Sequence, residues 1–304
     1  MDYSFATKTK FTKSAIAVSS LVALALLVAS AGSSTNSFAA QPKVDLGLAS
    51  SFAVLAGSGI TNTGPTTASG TAGADFGSSP TGSFTGDTDV TVTNGTKYTA
   101  VDAAVTAAKV DLTTAYNDAA GRTPATTVTA DLGGQTLTTG VYNSASSLQV
   151  TGTLTLDAEN DPDAVFIFQA GSTLTTASSA TIALVNGADA CNVFWQVGSS
   201  ATFGTDTVFV GHVMALTSIT ANTRATFAGQ LLASNGAVTL DTNTITNNLC
   251  IETATETEPE TDSGGQLPNT DAFDWLTPLA LGLAVITAVT AGYLIWRRRN
   301  QGRK

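Results

Sequence analysis

The chain has 304 residues, 43% of them hydrophobic and only 12% charged, with 28 glycines and a formal net charge of −10. That is long enough for one sizeable domain with appendages, and too apolar for a disordered chain. The acidic balance excludes the basic footprint a nucleic-acid partner requires, and low aromatic content points to short strands and tight turns rather than a helix bundle.

Lys8, Lys10 and Lys13 precede an apolar run from Ala15 to Ala31, and Ser37-Phe38-Ala39-Ala40 offers small residues for cleavage. Residues 1–40 therefore read as a secretory signal, and residues 41–251 as the exported domain. The run from Leu46 to Gly57 reads as a buried strand entering a Gly-rich turn, and residues 61–95 as short strands and loops. From Ala100 the period changes. Val101, Ala104, Val105, Ala108, Leu112, Ala115 and Tyr116 recur at three- and four-residue spacing, the apolar stripe of a single helix. Thr99 and Asp102 can cap its start, and Gly121 and Pro124 end it. Such a helix is expected to lie over one face of the strands that follow.

From Val128 short alternating runs return, at residues 136–142, 148–156, 164–169, 181–185, 193–197, 208–215, 226–233 and 237–240. Phe166, Phe168, Phe194, Phe203, Phe209, Phe227 and Leu231 are the expected interior. Inside this stretch a Thr-x-x-Thr unit returns as Thr173-Leu174-Thr175-Thr176, Thr202-Phe203-Gly204-Thr205, Thr220-Ala221-Asn222-Thr223 and Thr239-Leu240-Asp241-Thr242. Offsets of 29, 18 and 19 residues are too long for hairpins and suit turns of a solenoid. Stacked at about 4.8 Å, the coils would line their threonines up in columns. Because Leu174, Phe203, Ala221 and Leu240 are apolar, strand alternation puts Thr173, Thr202, Thr220 and Thr239 in one outer column. Thr176, Thr205, Thr223 and Thr242 need a corner to join that surface. Arg224 aligns with Asp206 one coil earlier as a cross-strand ion contact. A rigid array of hydroxyls and methyls matches a crystal better than a small molecule.

Cys191 and Cys250 are the only cysteines, and an even pair in an exported domain favours a disulfide, contributing about 3–4 kcal/mol on the loop-entropy account. Asp157, Glu159, Asp161 and Asp163 crowd a loop, yet Asn160-Asp161-Pro162-Asp163 is a good turn by itself. His212, the sole histidine, sits in an apolar run as a core or edge residue. No arrangement of side chains suggests a catalytic set, a metal site or a cofactor, so the chain reads as a non-enzyme.

Residues 252–266 form an acidic Thr/Glu-rich spacer with Glu256, Glu258, Glu260 and Asp262. Residues 267–304 hold Leu267-Pro268-Asn269-Thr270, an uncharged apolar stretch from Leu276 to Trp296 and the basic tail Arg297, Arg298, Arg299, Arg303 and Lys304. That stretch is long enough for a transmembrane helix, with the basic tail cytoplasmic. The three-part order resembles the sortase sorting signal of Gram-positive surface proteins, with Asp271 where the family pattern has glycine. Sortase and cell-wall peptidoglycan are thus the implied partners, with the membrane holding the chain if Asp271 is not accepted. Either way the domain is displayed on the outer face of a Gram-positive-type envelope.

Phe52-Ala53-Val54-Leu55-Ala56-Gly57, Asp111-Leu112-Thr113-Thr114-Ala115-Tyr116, Asp131-Leu132-Gly133-Gly134, Gly140-Val141-Tyr142, Val165-Phe166-Ile167-Phe168-Gln169 and Cys191-Asn192-Val193-Phe194-Trp195-Gln196-Val197-Gly198 together resemble the ice-binding-protein-like family. The resemblance covers about Val44 to Cys250. It implies a mainly β chain forming a right-handed, irregular β-solenoid (β-helix) of triangular section, a long α-helix packed alongside, and one sheet face that adsorbs to ice. Thr220-Ala221-Asn222-Thr223 also resembles the Thr-Ala-x-Thr motif on the ice-binding faces of some members. The expected function is adsorption to an ice crystal surface; the alternative is an adhesin or wall-structural module on the same scaffold.

Overall fold

The fold comes from a computed structural model that describes residues 41–248. The expected signal segment 1–40, Cys250, the spacer, the motif from Leu267 to Thr270 and the span from Leu276 to Trp296 lie outside the described residues. Among the described residues no helix is long and apolar enough to cross a membrane.

The first strand is shorter than expected, because Gly47–Ser51 forms a 3-10 turn and only Phe52–Ala56 is extended. Gly47 has a φ of +48°, outside the strand region, and the Leu48 N–H donates to Asp111 Oδ2 at 2.7 Å instead of to a ladder. Beyond it the chain winds in coils that visit three faces in turn. In residues 140–157 these are Gly140–Ser144, Leu148–Val150 and Thr153–Asp157. We call them the helix face, the seven-stranded face and the third face. Neighbouring coils pair in parallel on each: Phe168 lies between Tyr142 and Trp195, Leu174 between Leu148 and Ala201, and Thr181 between Thr153 and Val208. One face is a separate seven-stranded sheet, while the other two belong to one 14-stranded sheet.

Stacking order differs from chain order. The coils run 126–137, 140–157, 166–185, 193–210, 212–228 and 230–246, and the N-terminal coils 52–69 and 75–92 then stack onto the last. Ala103–Gly121, the one α-helix among the described residues, carries the chain back to the opposite end. It starts beside Gly77, where Val105 closes on the backbone, and ends beside Gln169, whose Nε2 donates to the Ala119, Ala120 and Arg122 carbonyls at 2.8, 3.3 and 3.1 Å. Asp102 caps its start, accepting from the Ala104 N–H at 2.8 Å.

Two apolar layers hold the stack. Inside the coils Phe166, Phe168, Trp195, Phe203, Phe209 and Phe227 form the interior, with Phe168 stacked on Trp195 at 3.9 Å between ring centroids. Between helix and solenoid, Val105, Ala108, Leu112, Ala115 and Ala119 meet Leu55, Ile167, Phe194, Met214 and Leu232. Each buried large apolar side chain contributes about 1.5–3 kcal/mol. Phe194, expected inside the coils, thus points outward under the helix. Val101 and Ala104, expected on the buried stripe, are exposed: Val101 precedes the helix, and Ala104 lies in its first turn. The long strands Val208–Ala215 and Thr226–Ala233 turn from the third face to the helix face at Gly211 and Gly229, with φ of +106° and +146°. A Cβ on Gly229 would lie 2.1 Å from the Gly211 carbonyl oxygen, so only glycine lets successive coils turn this corner.

Candidate functional site

Strand residues of the seven-stranded face alternate between buried and open, so one side chain per coil stands at the middle of its surface. The register joins them in one unbroken line: Gln149, Thr175, Thr202, Thr220, Thr239, Thr61 and Thr85. At roughly 4.8 Å per coil the line runs about 29 Å. No protein partner engages the hydroxyls of these threonines among the described residues.

Thr202, Thr220 and Thr239 stand in this column as the alternation predicted. Thr173 does not. Leu174 pairs with Ala201 rather than with Phe203, which shifts the first unit by two residues and puts Thr175 in the column. Thr173 flanks it, its hydroxyl donating to Ser147 Oγ at 2.8 Å. The fourth threonines do not form a second column. Thr176 follows Thr175 on a straight strand and therefore points inward, where it is buried, hydrogen-bonded to Thr207 Oγ1 at 2.9 Å and accepting from the Gly204 N–H at 2.9 Å. Thr205 and Thr223 are half-buried at the corner toward the third face, and Thr223 donates to Asp241. Thr242 turns that corner with a φ of +53° and donates to Asp241 Oδ1 at 3.0 Å. Thr61 and Thr85 lay outside the sequence expectation, which followed the repeat only through residues 172–248; their coils stack on the far end of the solenoid, and Thr85-Gly86-Asp87-Thr88 was the available signal.

The same corner carries the expected ion pair. Arg224 Nε and Nη2 donate to Asp206 Oδ1 and Oδ2 at 2.7 and 2.8 Å, both residues exposed and both at positive φ. The guanidinium holds the Asp206 carboxyl below the usual carboxylate range.

The third face carries a column of its own, which sequence reasoning missed: Thr153, Thr181, Val208, Thr226, Thr244, Thr67 and Thr91. Period-two alternation of threonine in residues 153–155 and 244–246 was the available signal.

The remaining candidates are structural. His212 is buried, stacks on Phe194 at 5.2 Å and lies beside Gln230 of the next coil. Burial pushes its pKa down to about 4, so it is neutral at physiological pH. The acidic loop satisfies itself: Asp157 Oδ1 accepts from the Glu159 N–H and from Asn186 Nδ2, both at 2.8 Å, and Asp161 Oδ1 accepts from the Asp163 N–H at 3.0 Å. Among the described residues no group of three or more His, Cys, Asp or Glu is placed to hold a metal. Cys191 is not a free thiol, and Cys250 lies outside the described residues.

Parallel coils, a helix strapped to one face and open threonine columns on the others define a class of surface-presenting β-coil proteins. Residues 54–246 match the family described as ice-binding-like, and the chain belongs to that family. It is 48% identical over 204 residues to an ice-binding protein of Nostoc sp. (strain HG1), covering 66% of this chain and 73% of that one. The crystal structure of an ice-binding protein from an Antarctic biological consortium superposes with a TM-score of 0.65 at 48% identity, covering 68% of this chain and 92% of its own. That of an ice-binding protein from the ascomycete Antarctomyces psychrotrophicus gives 0.62 at 42% identity, covering 67% and 98%.

Proposed function

We propose that this protein adsorbs to ice through the seven-stranded face, with Thr175, Thr202, Thr220, Thr239, Thr61 and Thr85 as the contact line. The observation that carries this reading is the unbroken register of threonines whose hydroxyls have no protein partner. Adsorption to a crystal needs many weak contacts at fixed spacing, and a hydrogen-bonded sheet fixes that spacing before binding, so little ordering is required on contact. The family membership and relatives described as ice-binding proteins support the same ligand. The winding is right-handed on this reading, as parallel crossovers nearly always are.

The test is thermal hysteresis and recrystallisation inhibition with the parent protein and Thr220→Tyr. A tyrosine at the middle of the column holds its neighbours off the crystal, so the variant should lose most ice activity. Its fold should survive, because an outward side chain on a strand changes stability by about 0.5 kcal/mol or less. Equal activity of two folded proteins would reject this face, and no ice shaping by the parent at high concentration would leave an adhesin-type module on the same scaffold.

The same proposal includes export by residues 1–40, a disulfide between Cys191 and Cys250, and retention at the envelope through residues 267–304. Parity and compartment support the bridge. The order of Leu267-Pro268-Asn269-Thr270, apolar span and basic tail supports the anchor, with Asp271 weakening covalent wall linkage by sortase. Two titratable thiols in the denatured, exported protein would reject the bridge; recovery of the mature protein mainly from the medium of intact cells would reject the anchor.

A further inference from the structure

We propose that the third face is a second ice-contacting surface, so that one molecule presents two differently oriented planes to a crystal. This rests on the ice-binding reading above and extends it to residues outside the seven-stranded sheet.

Four observations carry it. The third-face column is as continuous as the first, with a paired register at every step from Thr153 to Thr91. Its one departure from threonine is Val208, which is 45% exposed. Valine keeps the shape and one methyl of threonine and drops the hydroxyl, so the position preserves a methyl-bearing outline at the cost of an exposed apolar side chain. A surface maintained only for hydration would favour a polar residue there. The next outward rank is small, with Ala183 beside Thr155, and Ala228 beside Thr246 and Ser69, so nothing long stands above the column. Finally, the strands of this face carry no ionised side chain except Asp157 at its margin. The seven-stranded column, by contrast, continues beyond Thr175 to the long polar Gln149 and then to the carboxylate-bearing Asp131.

The two surfaces are joined coil by coil. Each N-terminal coil that lengthens one column lengthens the other, through Thr61 and Thr67 in the first and Thr85 and Thr91 in the second. Between the faces the backbone turns at Ser179, Asp206, Arg224 and Thr242, all with positive φ, and the Arg224–Asp206 pair rises at this corner. A hydrated ion pair on the ridge prevents a single ice plane from spanning both faces. Each face therefore meets its own plane.

The test uses the fluorescently labelled full-length protein adsorbed to a hemispherical single ice crystal, comparing the parent with Thr220→Tyr, Thr244→Tyr and the double variant. Thr244 is exposed near the middle of its column, and its one side-chain contact is a hydrogen bond of 3.4 Å from Thr67. The parent should mark two sets of planes, each single variant one of them, and the double variant none. Thr244→Tyr should also raise the concentration needed to halt recrystallisation by about tenfold, as losing a central contact does at other interfaces. Circular dichroism checks folding, and Thr226→Tyr substitutes if Thr244→Tyr unfolds. A folded third-face variant that marks the crystal as the parent does, while Thr220→Tyr clears it, overturns this inference and leaves the seven-stranded face intact. A parent that marks no plane overturns the ice-binding reading as well.

Discussion

The helix face and the seven-stranded face belong to the same coils, often to the same twenty residues of chain, yet their outward side chains have opposite fates. On the helix face almost every outward group has a protein partner. Ile167, Phe194, Met214 and Leu232 pack under the helix, Gln169 closes its C-terminal carbonyls, and Gln196 Nε2 donates to Tyr116 Oη at 2.7 Å. Lys109 reaches from the helix to the Ala233 and Ser234 carbonyls at 2.5 and 2.6 Å. On the seven-stranded face the hydroxyls of the column threonines have none among the described residues. A solenoid coil needs its interior residues to fold, and its outer residues are free to specialise face by face. One face is used for cohesion and another is left regular, small and unsatisfied, which is the property a crystal-binding surface requires.

That contrast is breakable by substitution. Leu112 lies fully buried between helix and solenoid. Leu112→Ala should cost about 2–5 kcal/mol by lost transfer energy and a cavity, read as a lower midpoint in denaturant. Ice activity per folded molecule should not change at a temperature where the variant remains native. Parallel loss of stability and ice activity would show that the covered face takes part in adsorption, and would end the division of labour.

A second test uses pH. His212 sits under the same layer, and burial lowers its pKa from 6.5 to about 4. Protons therefore bind the unfolded chain more readily than the native one between those values. Its contribution is fully present above pH 6.5 and is lost as pH falls toward 4. The size of the shift corresponds to about 3 kcal/mol at most. Stability should fall across that window, and His212→Gln, which cannot titrate, should flatten this part of the slope while leaving the seven-stranded column untouched. An unchanged slope in the variant would mean that His212 is hydrated in the native state.

The two regions also differed in how legible they were. The helix could be read from its period and caps because those signals are local: the observed Ala103–Gly121 starts at Asp102 and buries Val105, Ala108, Leu112 and Ala115 as expected. The fold class followed from short strands and repeat offsets. The contact column was only half legible. Around Leu174, threonines at 173, 175 and 176 permit two phases, and the pairing of Leu174 with Ala201 across 27 residues decides between them. Thr61 joins Thr239 only because the N-terminal coils stack on the C-terminal one, a contact that no local pattern announces. Phe194 was placed inside for a similar reason: an outward aromatic on a strand reads as interior unless the helix that covers it is already known.

The smallest expected effect on stability lies at the ridge between the open faces, and it sharpens the contrast most. The side chains of Asp206 and Arg224 hydrogen-bond only to each other across neighbouring coils, and both residues are exposed at positive φ. Exposed pairs of this kind contribute little to folding, since solvent screens them. Asparagine tolerates the left-handed conformation, so Asp206→Asn with Arg224→Asn removes both charges without straining the corner. The melting temperature should therefore stay close to that of the parent. Adsorption should improve, because the ion pair keeps a hydration shell that must be shed, or held apart from the crystal, whenever the adjoining columns dock. Recrystallisation inhibition is the measurement, with the double variant stopping ice growth at a lower concentration than the parent. Weaker inhibition by a folded double variant would mean that the charged ridge touches ice itself, and the boundary of the contact surface would then have to be drawn beyond the corner.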